Sequence, residues 1–476
     1  MGINWDPCSN AEFAPPDRDA VVVETERRVE AQSTQIARSL NIDRRRFVAS
    51  LSGTALALLT LDACSKQKHA AERAVDPTLP AQPGGTYAVP STAVTEPDVA
   101  TTVLSGSEFI FDVQTHLLPY DLTRPSSNFG TNFPQVNCGE SDSRACFDLD
   151  HYLDLIFLQS DTNAIVLSAL PIYGVDNPIT TEAMAETRRI AEQLCGDKRI
   201  YLQAQAAPNV GSPQAAFDLM SATVTQHQIV AWKTFTHTGQ QFRLDDGNRS
   251  LLQVGQRLVR HAVATGVPLI AVHKGFGGDP ADIGPAAAAN RDVDFLVYHS
   301  GYESGITEGA YDGSRPNGGV DRLIQSLERA GIGKHDNVYV ELGSTWHYVM
   351  SDLTQAAHVL GKLLHAVGPD RLLWGTDSIW YGSPQDQIQA FRAFQFTAEF
   401  QERYGYPELT PDLKRMVLGL NAVRLFNIDP SKVPCRYSRA DLEGLRQERH
   451  LTSILHGPTT RRELAALLRS PTAALL

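Results

Sequence analysis

Eight short apolar runs, each followed by a segment of helix length, constrain this sequence more than any other feature. The runs cover residues 109–113, 164–170, 199–206, 229–235, 268–273, 295–299, 338–342 and 372–377. Several are continuously apolar rather than alternating, as expected for parallel strands that are packed on both faces. Strands that alternate regularly with helices predict repeated strand–helix units.

The segments between these runs carry the periodicity of amphipathic helices. Apolar residues recur at steps of three and four over 150–159, 180–194, 251–264, 320–330, 354–367 and 386–404. Eight strands alternating with helices predict an α/β protein with a (β/α)₈ TIM barrel. A doubly wound open sheet is the alternative, but its first strand usually leads into a Gly-rich phosphate turn, which this sequence lacks.

The N-terminal part of the sequence has the pattern of an export signal. The arginines 44–46 precede an apolar run over 47–61, and Cys64 follows. This order is typical of a secretory signal, and it resembles a twin-arginine motif followed by a lipobox, in which Asp62 is atypical. We therefore predict an exported protein, periplasmic or anchored outside the cytoplasmic membrane through lipidated Cys64. A short amphipathic or buried helix at the start of the domain is the alternative.

These patterns divide the chain into four regions. They are a signal region over 1–64, a linker over 65–105, the barrel domain over 106–429 and a C-terminal helical extension over 430–476. The proposed linker is rich in Ala, Pro, Gly, Thr and Val and has little periodicity. The extension contains a capping box at Thr460 and Glu463, and we expect it to pack on the barrel or to form homo-oligomer contacts.

Composition limits the partners and the use of cysteine. The 476 residues include 42 Lys and Arg against 54 Asp and Glu, a net charge of −12, so binding to nucleic acid is not expected. A small-molecule substrate is the expected partner. Cys138 and Cys146 lie in one loop, as a disulfide or as two unpaired thiols. The sequence has no C-x-x-C pair, which disfavours a zinc site built from cysteines.

Polar side chains end four of the predicted strands. Gln114 and His116 follow the first strand, His273 ends the fifth, His299 the sixth and Asp377 the eighth. Because the carboxyl ends of barrel strands converge on one axis, we expect these side chains to meet. Imidazoles and a carboxylate in a concave site are suitable ligands for a divalent metal. Taken singly, each His could be a structural residue, and Asp377 could cap the next helix.

This set of strand ends, together with the segment G-L-N-A-V-R-L-F-N at 419–427, resembles the amidohydrolase superfamily. The similar branch includes metal-dependent hydrolases and aminocarboxymuconate-semialdehyde decarboxylase. The resemblance implies that His116, His273 and Asp377 bind a metal and that His299 is catalytic or faces the substrate.

Two further positions, Gln114 and Lys233, bear on the predicted metal site. The family usually has His or Glu where this sequence has Gln114, and an amide oxygen is a weaker metal ligand. Lys233, on the fourth predicted strand, corresponds to the lysine that is carbamylated and bridges two metals in binuclear relatives. Here we expect Lys233 to form an ion pair or to contact a substrate carboxylate, and we expect a single Zn²⁺.

The predicted activity is hydrolysis of an ester, lactone or amide by metal-activated water. Asp377 would take the proton from that water, and His299 or the metal would stabilise the developing oxyanion. One alternative is decarboxylation of an aromatic or enoic acid on the same barrel. Another is a non-catalytic ligand-binding barrel, in which Gln114 marks a degenerate site. A serine hydrolase is disfavoured because the sequence has no G-x-S-x-G elbow.

Overall fold

A computed structural model of the protein describes residues 3–5, 17–120, 142–174, 177–195, 198–314 and 318–432. The strands are β1 (Gly85–Tyr87), β2 (Phe111–Thr115), β3 (Ala164–Ser168), β4 (Ile200–Gln205), β5 (Ala231–Thr234), β6 (Leu269–His273), β7 (Asp294–Tyr298), β8 (Val338–Glu341), β9 (Leu372–Leu373) and β10 (Phe394–Phe396).

Along the chain, the α-helices precede, separate and follow these strands. They are α1 (Ala20–Ser39), α2 (Arg44–Val48), α3 (Leu51–Val75), α4 (Pro97–Leu104), α5 (Leu149–Leu153), α6 (Thr181–Cys195), α7 (Pro213–Gln226), α8 (Gly255–Ala264), α9 (Ile283–Ala289), α10 (Gly319–Arg329), α11 (Thr345–Val349), α12 (Leu353–Val367), α13 (Gln385–Ala393), α14 (Ala398–Tyr404), α15 (Pro411–Arg415) and α16 (Asn421–Leu425).

Strands β2 to β9 form one parallel sheet of eight strands in sequence order. The first and last strands meet, because Val113 N donates to Trp374 O at 3.0 Å and Asp377 N donates to Gln114 O at 2.9 Å. The predicted (β/α)₈ barrel is therefore confirmed, with a strand at each of the eight apolar runs.

The barrel interior changes from apolar to polar along its axis. One end is filled by an apolar cluster that includes Phe111, Val166, Leu296 and Tyr298. At the other end, where the strands finish, the buried side chains include Lys233, His273, His299 and Glu341. This apolar cluster packs beneath the polar groups along the barrel axis. The polar groups therefore lie at the carboxyl-end face, where barrel enzymes have their active sites.

One predicted helix is wrong. The segment 386–404 contains α13, the strand β10 and α14 instead of one continuous helix. Phe394 and Phe396 are buried while Gln395 between them is half-buried, which is the period of a strand. Strand β10 pairs antiparallel with β1, a partner about 300 residues away in the chain. Local periodicity carries no information about such a partner.

The segment 65–105 differs from the predicted linker. Helix α3 continues to Val75, and β1 and α4 follow before the barrel begins. The backbone at Gly84 and Gly85 packs closely against two aromatic rings. A Cβ added to Gly84 would lie 2.5 Å from the Phe400 ring, and one added to Gly85 would lie 2.3 Å from the Phe394 ring. The segment is folded against the barrel, although its apolar residues follow no regular period.

The apolar run that predicts an export signal lies in α3. Leu58 and Leu61 are fully buried, and Cys64 is a free thiol with 4% exposure. The structure thus has the buried helix of the alternative interpretation. A search of the described residues for a helix of sufficient length and hydropathy to span a membrane finds none. Export and lipidation of Cys64 stay predictions.

Several predictions fall on parts of the chain that the structure does not describe. Cys146 is disulfide-bonded, and its expected partner Cys138 lies outside the described residues. Residues 433–476, which hold most of the predicted C-terminal extension, also lie outside them.

Candidate active site

Four of the six predicted site residues meet at the carboxyl ends of the barrel strands. His116 Nε2 lies 3.1 Å from Asp377 Oδ1, and Gln114 Nε2 donates to the same oxygen at 2.9 Å. Gln114 Nε2 also lies 3.4 Å from His299 Nε2. All four side chains are buried. The barrel therefore brings together residues that are far apart in the sequence.

Two of the imidazole rings are held by backbone carbonyls. His116 Nδ1 lies 2.8 Å from Ser168 O, and His299 Nδ1 lies 2.7 Å from Gly343 O. A ring nitrogen that is hydrogen-bonded to a carbonyl fixes the orientation of its ring, so each Nε2 faces the centre of the site. Metal-binding imidazoles are commonly oriented in this way.

His273 and Lys233 lie on the β5–β6 side of the site. The His273 ring is 4.5 Å from the His299 ring and 4.8 Å from the His237 ring, between centroids. Burial, together with the neighbouring imidazoles and lysines, lowers the pKa of His273 well below its ordinary value. Lys233 Nζ lies 3.5 Å from the centroid of the Tyr298 ring, a cation–π contact inside the barrel.

The three predicted metal ligands all lie where barrel strands end, and their described contacts are pairwise. His116 contacts Asp377, whereas His273 contacts His299, and no group of three His, Cys, Asp or Glu in the described ranges has the arrangement of a metal site. Gln114 presents its amide N–H₂ group, rather than its oxygen, to Asp377.

The donor types nevertheless fit a divalent cation. Gln114 Oε1 is buried and accepts no hydrogen bond within the described chain. Rotation of this amide would turn an oxygen, rather than the N–H₂ group, toward Asp377. The set would then contain imidazole nitrogens, one carboxylate and one amide oxygen, all of which are ligands that divalent metals accept.

Burial controls the charge of the groups at the centre. Burial raises the pKa of Asp377, but the hydrogen bonds from His116 and Ser344 and the electrostatic effect of the neighbouring imidazoles outweigh it and hold the pKa at about 2. Burial lowers the pKa of His299 to about 4 and raises that of Asp112 to about 7. At neutral pH the site therefore presents an ionised Asp377 beside a neutral His299.

Left-handed backbone conformations are concentrated at these strand ends. The φ angles are +62° at His299, +52° at Ser300, +57° at Ser344 and +58° at Asp377. Each such conformation in a residue other than glycine costs on the order of 1–3 kcal/mol, and they persist where the surroundings fix them, commonly at functional sites.

The turn after β8 is the part of the site that the sequence analysis missed. Glu341 Oε2 accepts from His299 N at 3.0 Å, and Thr345 Oγ1 donates to His299 O at 2.9 Å. Ser344 Oγ donates to Asp377 Oδ2 at 2.6 Å. The sequence carries a signal for this turn, because the seventh apolar run has a carboxylate, Glu341, next to its last residue, and the small residues 343–345 follow the run.

Aromatic rings border the imidazoles. The Trp380 ring stacks on His116 with centroids 6.2 Å apart, and the Phe276 ring meets His299 edge to face at 5.1 Å. Trp380 itself packs on Phe147. A ligand that reaches the imidazoles would therefore contact flat apolar surfaces beside them.

Known structures resemble this chain at low identity. The crystal structure of 2,6-dihydroxybenzoate decarboxylase complexed with 2,6-dihydroxybenzoate has a TM-score of 0.38 and 11% identity, over 67% of this chain and 98% of that chain. The TatD homologue YJJV from Escherichia coli k12 has a TM-score of 0.37 and 13% identity, over 67% and 98%. Amidohydrolase 2 from Bifidobacterium longum subsp. infantis has a TM-score of 0.35 and 14% identity, over 68% and 100%.

The sequence comparisons are more decisive. No functionally curated protein matches the chain. The sequence profile of the amidohydrolase family matches residues 112–428 of the 476, from β2 to the residues that follow α16. The chain belongs to the amidohydrolase family.

Proposed function

We propose that this protein is a metal-dependent hydrolase that acts on an ester, lactone or amide through metal-activated water. The proposal rests on four side chains that meet at the carboxyl ends of the barrel strands, the barrel mouth: Gln114, His116, His299 and Asp377. The Nε2 atom of His116 faces the Asp377 carboxylate, and that of His299 faces the Gln114 amide. This arrangement combines an anionic proton acceptor, Asp377, with the neutral imidazole of His299 in a buried site.

A single divalent cation, which we expect to be Zn²⁺, would be held by His116, His273 and Asp377, with Gln114 Oε1 as a further donor. When bound, such an ion lowers the pKa of a coordinated water to about 7 and polarises a carbonyl group.

The protein's own residues then have distinct tasks. Asp377, an ionised carboxylate, accepts the proton of the attacking water and later delivers it to the leaving group. His299 is neutral, and its Nε2 faces the same point as the amide of Gln114, so it contacts the substrate carbonyl region. We assign Lys233 to a contact with a substrate carboxylate or to an ion pair inside the barrel.

Decarboxylation of an aromatic or enoic acid is the second candidate function. It is favoured by the flat rings of Trp380 and Phe276 beside His116 and His299, which would contact a planar substrate on its faces. The Lys233 ammonium group offers a charge for the carboxylate of such an acid.

The test combines metal analysis with an activity screen of the purified chain. We expect about one equivalent of metal per chain, hydrolysis of a lactone, ester or amide, loss of that activity with a chelator and recovery with Zn²⁺. Release of CO₂ from an aromatic or enoic acid, without hydrolysis, would support decarboxylation instead. Absence of both metal and turnover would support a non-catalytic ligand-binding barrel and contradict both candidates.

Two variants sharpen this test. His116→Ala removes an imidazole and should reduce the bound metal and the activity together. Gln114→His replaces the amide by the residue type that the family usually has, and we expect it to raise Zn²⁺ affinity. A variant Gln114→His with unchanged affinity would show that this side chain does not contact the metal.

A further inference from the structure

The turn between β8 and α11 has a backbone conformation that is rare in proteins. Thr345 N donates to Gly343 O at 2.6 Å across Ser344, whose φ and ψ are 57° and −41°. A hydrogen bond between residues two apart around such a φ defines a γ-turn of the strained type. A strained turn of this kind persists only where its surroundings fix it.

The surroundings that fix Ser344 are two side chains that reach its hydroxyl group. Ser344 Oγ lies 2.6 Å from Asp377 Oδ2 and 2.6 Å from Tyr381 OH. An ionised carboxylate can only accept, so the Ser344 hydroxyl donates to Asp377. The same hydroxyl has one proton, which means that Tyr381 donates to Ser344. The hydrogen bonds therefore run from Tyr381 through Ser344 to Asp377.

This chain of hydrogen bonds completes the environment of the Asp377 carboxylate. Its Oδ1 contacts His116 Nε2 and Gln114 Nε2, and its Oδ2 is held by Ser344. The two oxygens are thus held from opposite sides, and rotation of the carboxylate would break at least one of these contacts. Without Ser344, Oδ2 would lose the hydrogen bond that fixes this orientation.

The same turn also holds the imidazole of His299. Gly343 O lies 2.7 Å from His299 Nδ1, one residue before Ser344. A Cβ added to Gly343 would lie 2.3 Å from Gln114 Oε1 and 2.3 Å from Glu341 Oε1, so a larger residue here would displace these two side chains. One short turn therefore fixes the two groups to which the proposed chemistry assigns the proton and the substrate carbonyl.

We propose that Ser344 is a positioning residue that fixes the Asp377 carboxylate, and that the γ-turn holds its hydroxyl in place with support from Tyr381. The effect on turnover rests on the proposed function, whereas the position of the carboxylate does not. Ser344 acts through Asp377 rather than on the substrate.

The experiment compares Ser344→Ala, Ser344→Gly and Tyr381→Phe with a matched control, Ser326→Ala. Ser326 Oγ is also in a buried part of the chain, where it donates to Ala281 O and accepts from Gly284 N, both at 3.0 Å. For each protein we would determine a crystal structure, the thermal melting temperature and the affinity for Zn²⁺ in competition with a chelator.

We expect the Asp377 carboxylate to rotate away from His116 in both Ser344 variants and to stay in place in the control. Zn²⁺ affinity should fall by about 10- to 100-fold in both variants, as for other residues that orient a metal ligand. Turnover should fall through kcat rather than KM. Tyr381→Phe should have a smaller effect in the same direction, because Ser344 keeps its hydrogen bond to Asp377.

Ser344→Gly separates positioning from folding. Glycine adopts the φ of this turn without strain, so this variant should melt at or above the temperature of the unmodified protein while still losing Zn²⁺ affinity. An Asp377 carboxylate that stays in place in both Ser344 variants would overturn the proposal. If the carboxylate moves but the unmodified protein binds no Zn²⁺, the proposed function fails and the positioning role stands.

Discussion

The N-terminal layer, residues 20–105, and the mouth of the barrel bury side chains of opposite kinds. Helix α3 buries Leu58 and Leu61 completely, whereas the mouth buries His299, Glu341 and Asp377 to a similar extent. Burial of apolar side chains stabilises a fold, but burial of ionisable groups on strained backbone lowers stability. The layer therefore contributes to the stability of the protein, and the mouth contributes its chemical groups.

The two regions also differ in how they are connected to their surroundings. The layer contacts the barrel through apolar packing and through β1, which pairs with β10. The mouth is joined by hydrogen bonds between strand ends, such as those of Ser344 and Gln114 to Asp377. Substitutions in the layer should change the free energy of unfolding, and substitutions in the mouth should change activity. The following predictions test this contrast.

The largest expected effect is on turnover. Asp377→Asn removes the proposed proton acceptor, so we expect kcat to fall by about 10²- to 10⁴-fold. Asparagine tolerates a positive φ better than most residues, which makes it a suitable replacement at +58°. Steady-state kinetics on a substrate from the screen, with circular dichroism as a check of folding, measure the effect. Full activity of this variant would contradict the role of Asp377.

The next effect is on stability. Leu58→Ala creates a cavity in a fully buried part of α3, and we expect the free energy of unfolding to fall by about 2–5 kcal/mol. Val75→Ala, at a position with 88% exposure on the same helix, is the control and should change it by less than about 0.5 kcal/mol. Urea denaturation followed by circular dichroism gives both values. Equal values would mean that Leu58 is not buried in the folded protein.

A smaller effect is expected at the buried carboxylate of α3. Asp62 Oδ1 accepts from Thr86 Oγ1 at 2.7 Å and from Tyr87 N at 3.3 Å, so it joins α3 to β1. Asp62→Ala leaves these donors without an acceptor and should lower the free energy of unfolding by about 1–3 kcal/mol. Lys66→Ala removes the half-exposed ion partner of Asp62, together with a long hydrogen bond of 3.4 Å to Thr86, and should cost less than about 1 kcal/mol. The reverse order, measured by urea denaturation, would contradict this role.

The smallest expected change, counted per pH unit, is in the dependence of the free energy of unfolding on pH near β10, the strand that pairs with β1 of the N-terminal layer. Lys414 Nζ donates to Arg392 O at 2.5 Å and to Phe394 O at 2.7 Å, where β10 begins. Burial lowers the pKa of Lys414 to about 7, below its value of about 10.4 in an unfolded chain.

Between these values the unfolded chain binds more protons than the folded one. The free energy of unfolding should therefore rise with pH between about 7 and 10, by up to about 1.4 kcal/mol per pH unit, and this contribution is lost as the pH falls to 7. Lys414→Met should remove that slope. Urea denaturation at pH 7, 8 and 9 for both proteins measures it, and equal slopes would contradict the assignment.

Sequence patterns predicted the barrel more completely than the layer. All eight strands could be found because each is an apolar run of its own, bounded by a helical pattern. The layer has no such period, and its apolar run also satisfies the requirements of a signal sequence. Its burial against the barrel depends on contacts such as those of Gly84 and Gly85 with Phe400 and Phe394, which no local pattern reports.

The site was predicted in part for a related reason. Gln114, His116, His299 and Asp377 were found because each closes a strand, and strand ends of a barrel meet. The contact between the rings of His273 and His299 depends on side-chain orientation, which no local pattern reports. The turn at Ser344 was missed because its function follows from a backbone conformation, and small residues after a strand are common in sequences.

The sequence by itself determined the number and order of the barrel strands and the chemical types of the groups at their ends, because both follow from the local succession of apolar and polar residues. Only the tertiary structure decided which residues cover α3, where β10 finds its partner, and how Ser344 meets Asp377. These features depend on contacts between residues distant in the chain, whose geometry is set by the packing of the whole barrel.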